Sequence, residues 1–259
     1  MVKRPNKPMR LLLTRPSAGS RWGMVAFALA ALMLQGCATG PNANPADPLE
    51  PLNRAVFGFN DSVDRAVIKP VAIVYDRAVP KLVQTGVENF FGNISDVWSV
   101  ANNFLQAKPK ETAETFLRVG VNTLFGLGGL VDISTELGLP KNRQDFGKTL
   151  GVWGFGSGPY VVLPIFGPSS VRDTVGTVVD GNYDLVNNLN KVPTRNSLTV
   201  LRLLDKRAEL LGTTNALDEA ALDRYTFSRD VYLRRRANAV GQGVDVKEER
   251  FDLPAPVAK

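Results

Sequence analysis

Apolar residues in the first part of the body recur at helical spacing. Leu52, Val56, Phe59, Val63 and Val67 follow at steps of four, three, four and four, which puts them on one face of an α-helix. Pro51 suits the first turn of that helix and Pro70 its end. Val71 to Val79 is a short apolar piece closed by Pro80, and the stripe of Leu82, Val83, Val87, Phe90 and Phe91 is expected to stop at Gly92. Ile94, Val97, Trp98, Ala101, Phe104 and Leu105 form the cleanest stripe, ending near Lys108-Pro109. Ala113, Phe116, Leu117, Gly120, Val121 and Leu124 repeat the pattern, as do Leu198, Leu201, Leu204, Ala208 and Leu211. A more charged helix is expected over Ala216 to Ala239, whereas residues 241–259 have no period and read as a disordered tail. The fold class is therefore mainly α, built from helices of roughly 10 to 17 residues, too short for the ~20 that cross a bilayer.

Such stripes have two destinations. They can pack on one another in a soluble helical domain, or they can face acyl chains as helices lying in the membrane interface. The aromatic residues Phe59, Phe90, Phe91, Trp98 and Phe104 suit the second. An in-plane helix reaches only part of one leaflet, and a ring of them can line a passage through that leaflet alone.

Two segments break the helical pattern. In Phe116 to Ile133, Arg118 and the glycines Gly126, Gly128 and Gly129 exclude a spanning helix and predict a hydrophobic hairpin that ends near Asp132. Glycine alone serves two readings equally here: a hinge or gate, and a tight turn between packed helices. Residues 147–170 are glycine-rich, and three familiar motifs fail in them. Gly147-Lys148-Thr149 lacks the first glycine of a P-loop, because Asn142 stands there. Gly154, Gly156 and Gly158 lead into Pro159 rather than a dinucleotide-binding helix, and Phe155 breaks a nucleophile elbow at Ser157. Tyr160 to Leu163 reads as a short extended piece.

Composition narrows the chemistry. The 259-residue chain has no histidine and one cysteine, which removes Ser-His-Asp and Cys-His catalysis, His-ligated zinc and any internal disulfide. Asp132, Glu136, Asp145, Asp173, Asp180 and Asp184 are scattered without a metal-loop spacing, so neither a metal site, a cofactor nor an enzyme is expected. The net charge of +6 is misleading. Six of the 31 basic residues precede Cys37, and the remaining 25 balance 25 acids, so no nucleic-acid footprint is left.

The basic stretch leads into Trp22 to Leu34, an uncharged run with the length of a signal-peptide core. It ends in Leu34-Gln35-Gly36-Cys37, which resembles a bacterial lipobox. In that reading residues 1–36 are the leader, Cys37 carries the lipid, residues 37–48 are a tether and residues 49–240 are the helical domain. Ala38 rather than Asp after the cysteine points to the outer membrane.

Four further blocks resemble the MlaA/VacJ family of outer-membrane lipoproteins. They are Asp47-Pro48-Leu49-Glu50 with Asn53-Arg54 and Phe59-Asn60; Phe116 through Asn122 to Gly126-Leu127-Gly128-Gly129-Leu130-Val131-Asp132; Phe146 to Gly151 with Gly158 to Pro164; and Arg172-Asp173 with Asp180-Gly181. The resemblance implies a ring of helices in the inner leaflet of the outer membrane around an amphipathic channel. It also implies removal of phospholipid from the outer leaflet, delivery to a periplasmic lipid-carrier protein, and association with a trimeric porin. The hairpin from Gly126 to Asp132 would then be the mobile element, and Arg118 and Asn122 are candidates for polar wall positions. The alternative is a structural lipoprotein that tethers porins without moving lipid.

Overall fold

In the computed structural model the described residues are 44, 46–214 and 222–241. The leader, Cys37, most of the tether and residues 242–259 lie outside them. Helix α1 (Glu50–Val63) passes through a π-helical turn, Asp64–Ile68, into α2 (Lys69–Ala78). α3 (Lys81–Leu105) and α4 (Pro109–Leu124) form an antiparallel pair. Then come α5 (Ile133–Glu136), α6 (Phe146–Val152), and a two-stranded hairpin of β1 (Tyr160–Leu163) and β2 (Gly167–Ser170). α7 (Val171–Tyr183), α8 (Val192–Glu209) and α9 (Arg224–Ala239) complete the described chain.

Two expected helix ends are absent. Pro70 does not stop the first helix, because the π-turn ahead of it shifts the ladder: Lys69 N–H bonds to Asp64 O, five residues back, and loosens the backbone where the proline ring would clash. Gly92 does not stop α3, a 25-residue helix and therefore longer than expected. No described helix is both long and apolar enough to cross a membrane. The last described helix starts at Arg224, where Asp223 caps it by accepting from Tyr225 N–H at 3.0 Å, and residues 216–221 of the expected span lie outside the described residues.

Burial runs opposite to a soluble domain. Among the described residues, seven hydrophobic side chains are buried against nineteen polar or charged ones, so the interior is not an oil-filled core. Meanwhile Leu82, Phe104, Phe116, Leu124, Phe125, Leu127 and Phe166 are each at least 66% exposed. Leu52, Phe59 and Val67 of the first stripe point outward too, whereas Val56 of that stripe turns inward with Phe57 against Tyr160, Val162 and Tyr225, and Asn53 on this inward side is 1% exposed. In α3 the outward face carries Val97, Phe104 and Leu105, and the inward face carries Asn93, Asp96, Ser99, Asn102 and Asn103. Each large apolar side chain left in water forgoes about 1.5–3 kcal/mol, so a dozen of them exceed a typical domain's whole stability of about 5–15 kcal/mol. An exposed apolar surface on this scale marks an interaction site for a membrane or another protein.

Hydrogen bonds replace oily packing inside. Asn53 and Asn60 stand two turns apart on α1, about 10 Å, which matches three residues of extended strand. Asn53 Nδ2 donates to Tyr160 O at 3.0 Å and its Oδ1 accepts from Val162 N–H at 2.9 Å. Asn60 repeats the clamp on Leu163 O at 2.9 Å and Ile165 N–H at 2.7 Å. The exposed edge of β1 is thereby satisfied by side chains. Arg54, on the outer side, pairs with Asp223 at 2.7 Å and lies over the Tyr225 ring, tying α1 to α9.

Replacing Asn53 by Ala orphans a buried carbonyl and a buried N–H, so a loss of about 2–4 kcal/mol is expected. Thermal unfolding in mild detergent measures it, and Phe59→Ala, at an exposed position, is the comparison expected to shift the midpoint little.

Candidate functional site

The interior polar groups gather in two places. The first is the base of the hairpin that joins α4 to α5. Gly128 and Gly129 adopt φ of +74° and +95°, and a Cβ on Gly126 would stand 2.1 Å from Val131 O, so all three glycines are required by this turn. The tip is apolar and exposed, with Leu124, Phe125 and Leu127 all above 70%. Below it, Arg118 from α4 is 1% exposed and its Nη2 donates to both carboxylate oxygens of Asp132, at 2.9 and 3.0 Å. Its other terminal nitrogen donates to Leu139 O at 2.5 Å. Asn122 donates to Asp132 at 3.1 Å and accepts from Ser134 N–H at 2.9 Å. Arg118, Asn122 and Asp132, singled out separately in the sequence, are thus one network. In this arrangement Arg118 and Asn122 have no open face, because Asp132 and the residues after it cover them.

Charge is unevenly shared in this network. Burial raises the Asp132 carboxyl, but hydrogen bonds from Thr135, Lys141 and Asn122 outweigh it and hold it below the usual carboxylate range. Asp96 of α3 faces the same arginine only at long range, 3.8 Å from Nε. Burial therefore prevails there and raises Asp96 despite Arg143, Arg118 and Lys141. Asp96 Oδ1 and Arg118 Nε make no hydrogen bond among the described residues.

The second place is a pair of polar clefts between α3, α7, α8 and the loop before α6. One, of about 280 Å³, is bordered by Trp98, Lys148 and Asp180, and the other, of about 230 Å³, by Glu88, Asp205 and Lys206. Ser95, Arg143 and Arg202 border both. Asp180 sits within α7 and accepts from Trp98 Nε1 at 2.7 Å and from Phe146 N–H at 2.9 Å. A larger cavity of about 690 Å³ mixes Phe57, Leu210, Phe227 and Val231 with Lys148 and Arg235. α9 closes this region through ionic bonds and through Tyr225, Tyr232 and Leu233, which pack with Val56, Phe57, Tyr160 and Val162. Arg236 forks onto Asp145 at 2.7 and 2.8 Å and reaches Asp173 at 2.8 Å, while Asp47 receives Tyr225 and Arg229. Asp173 also pairs with Arg172 at 2.9 Å. No cluster of metal-ligating residues occurs among the described residues.

Arg143, Arg202, Asp96 and Asp205 were not evident in the sequence. A usable signal existed for Asp96 alone: the face of α3 opposite its apolar stripe carries Asn and Ser with no Lys or Arg between Gly92 and Gln106, and a solvated face would carry long charged side chains.

Over residues 45–239 the chain matches a known family model, MlaA lipoprotein. The chain belongs to the MlaA lipoprotein family. It is 33% identical over 230 residues to the intermembrane phospholipid transport system lipoprotein MlaA of Escherichia coli (strain K12), covering 86% of this chain and 90% of that protein. Its identity to the Haemophilus influenzae protein of the same description is 33% over 241 residues, covering 89% and 95%. A solved chain from "Structural basis for maintenance of bacterial outer membrane lipid asymmetry" superposes with a TM-score of 0.66 at 33% identity, covering 75% of this chain and 98% of that one. The MlaA family match spans the hairpin, both clefts and α9.

Removing one partner of a buried ion pair strands the other, so Arg118→Ala is expected to lose about 3–5 kcal/mol. The double variant Arg118→Ala/Asp132→Ala should lose less than the two single losses added, as chemical denaturation in detergent would measure. Because the folded Asp132 carboxyl lies below its unfolded value of about 3.9, the stability it contributes is present above that pH and declines as pH falls below it. Asp132→Asn should flatten that acid limb.

Proposed function

We propose that this protein withdraws phospholipid from the outer leaflet of the outer membrane and hands it to a soluble periplasmic carrier. Cys37 holds it by a lipid to the periplasm-facing leaflet, and a trimeric porin is its neighbour. Its helices lie in that leaflet as a ring around an amphipathic passage, with the apolar stripes towards acyl chains and the polar faces towards the passage. One observation carries the reading: large apolar side chains are outside and polar ones inside. This is the burial expected where the solvent is hydrocarbon and the interior must pass a charged headgroup.

The hairpin is the moving part in this reading. Gly128 and Gly129 are its hinge, and the Arg118–Asp132 pair with Asn122 is the catch that holds it down. Lifting Asp132 away would turn Arg118 and Asn122 towards the passage as polar wall. Transport by this route needs no bond to be made or broken in the lipid, so the protein acts without catalysis. The energy for a directed flow comes from the apparatus downstream of the carrier.

Two measurements test this. Replacing Phe104 or Leu124 by Asp removes about 2 kcal/mol of membrane burial in each case, so binding of the protein without its lipid to phospholipid vesicles should fall roughly 30-fold per substitution. Unchanged vesicle binding would contradict the outward orientation. The full-length lipidated protein, extracted in mild detergent, should also carry phospholipid and release it to the carrier. A preparation that retains porin but never lipid would make the protein a tether.

A further inference from the structure

Gly92 lies near the middle of α3, where glycine costs a helix about 1 kcal/mol relative to alanine. Its bare backbone lets a side chain from another element approach: a Cβ here would stand 2.4 Å from Nη2 of Arg143. Arg143 comes from the loop before α6, and its guanidinium rests directly against the α3 backbone. Its protein contacts are weak. The closest carboxylate oxygen, on Asp96, is 3.9 Å from Nε, and the side chain remains 44% exposed. Arg202, from α8, commits two of a guanidinium's five donors, to Asp184 at 2.6 Å and to Ser95 Oγ at 3.0 Å. Both arginines border both polar clefts and so stand where the two meet.

The smaller cleft carries an opposite set beside them. Its cations are Arg143, Arg202 and Lys206, and its anions are Glu88, Asp205 and Glu209. Lys206 already holds Glu209 at 2.7 Å, and Tyr75 donates to Asp205 at 2.9 Å. Glu88 makes no side-chain hydrogen bond or ion pair among the described residues. Burial, and after it Glu88 and Glu209, pushes Asp205 above the usual carboxylate range, a repulsion that a bound cation would relieve.

We propose that Arg143 and Arg202 receive the phosphodiester of a zwitterionic phospholipid headgroup where the two clefts meet, and that Glu88 and Asp205 receive its ammonium. The guanidinium fork matches two phosphate oxygens, and a carboxylate pair matches an alkylammonium. A headgroup with phosphate but no amine would leave Glu88 and Asp205 facing it uncompensated, so the cleft discriminates by the amine. This assignment rests on the transport reading and adds the headgroup class and the residues that receive it.

The test uses the full-length lipidated protein in detergent, offered phosphatidylethanolamine and phosphatidylglycerol with the same acyl chains, with bound lipid counted by native mass spectrometry. The unsubstituted protein should retain more phosphatidylethanolamine. Arg143→Gln should lower retention of both lipids roughly tenfold, the size of a lost charge-assisted hydrogen bond, and Arg143→Lys should restore part of it. Glu88→Gln should lower phosphatidylethanolamine several-fold relative to phosphatidylglycerol. A folded Arg143→Gln protein that retains both lipids as before overturns the site. If that variant does not fold, Glu88→Gln decides alone, and an unaltered lipid ratio overturns it. Arg143-dependent binding of inorganic phosphate with no preference between the lipids would assign the cleft to free phosphate and also overturn the proposal. Should the unsubstituted protein retain neither lipid, the transport reading itself fails.

Discussion

An interior with little apolar packing must be held by something else, and here it is held by hydrogen bonds between buried polar groups. Asn53, Asn102, Asn103, Thr115, Arg118 and Thr149 are all fully or almost fully buried, and each is engaged by a neighbour on another element. Away from bulk water such bonds are electrostatically stronger, and leaving one unmade is correspondingly costly. This constraint explains the recurring use of short amides and hydroxyls on inward helix faces. They bond across a narrow gap without carrying a net charge that needs its own counter-ion. It also explains the outside, because the apolar side chains that such an interior does not consume are left on the surface.

Full charges are admitted where they tie distant segments together. Arg236 joins α9 to Asp145 at the start of α6 and to Asp173 at the start of α7, while Asp47 and Arg54 join the N-terminal end of the body to the same helix. These bonds join elements far apart in sequence. The Arg118–Asp132 pair is of the same kind but sits beneath a glycine turn with an exposed apolar tip. In the proposed cycle that position makes it the catch, with the glycine turn as its hinge.

Much of this was legible along the chain. The stripes of α1, α3, α4 and α8 appear as helices, the glycine turn falls at Gly126 to Gly129, and Tyr160 to Leu163 is extended. The misplaced ends have local causes that periodicity does not register. A π-turn absorbs Pro70, and an arginine from another loop occupies the space a side chain at Gly92 would need. The candidate residues Arg118, Asn122 and Asp132 stood out because they interrupt apolar sequence, and that interruption is itself a consequence of their burial. Arg143 and Arg202 interrupt nothing, and each reads as an ordinary surface charge until the loop before α6 and α8 bring them to the same cleft.

By itself the sequence determined which residues share a helix face, where the backbone must turn, and which catalytic chemistries the chain lacks, since these depend on neighbours within a few positions. It did not determine which face of each helix points inward. Amphipathic spacing is the same whether the apolar side meets a protein core or a lipid tail, and the sign is decided only when the helices assemble. The tertiary structure made that decision by pairing Asn93 with Thr123, Asn103 with Thr115 and Arg118 with Asp132, which places polar atoms from separate segments within bonding distance. Once those bonds form, the only surface left for the apolar stripes is the outside.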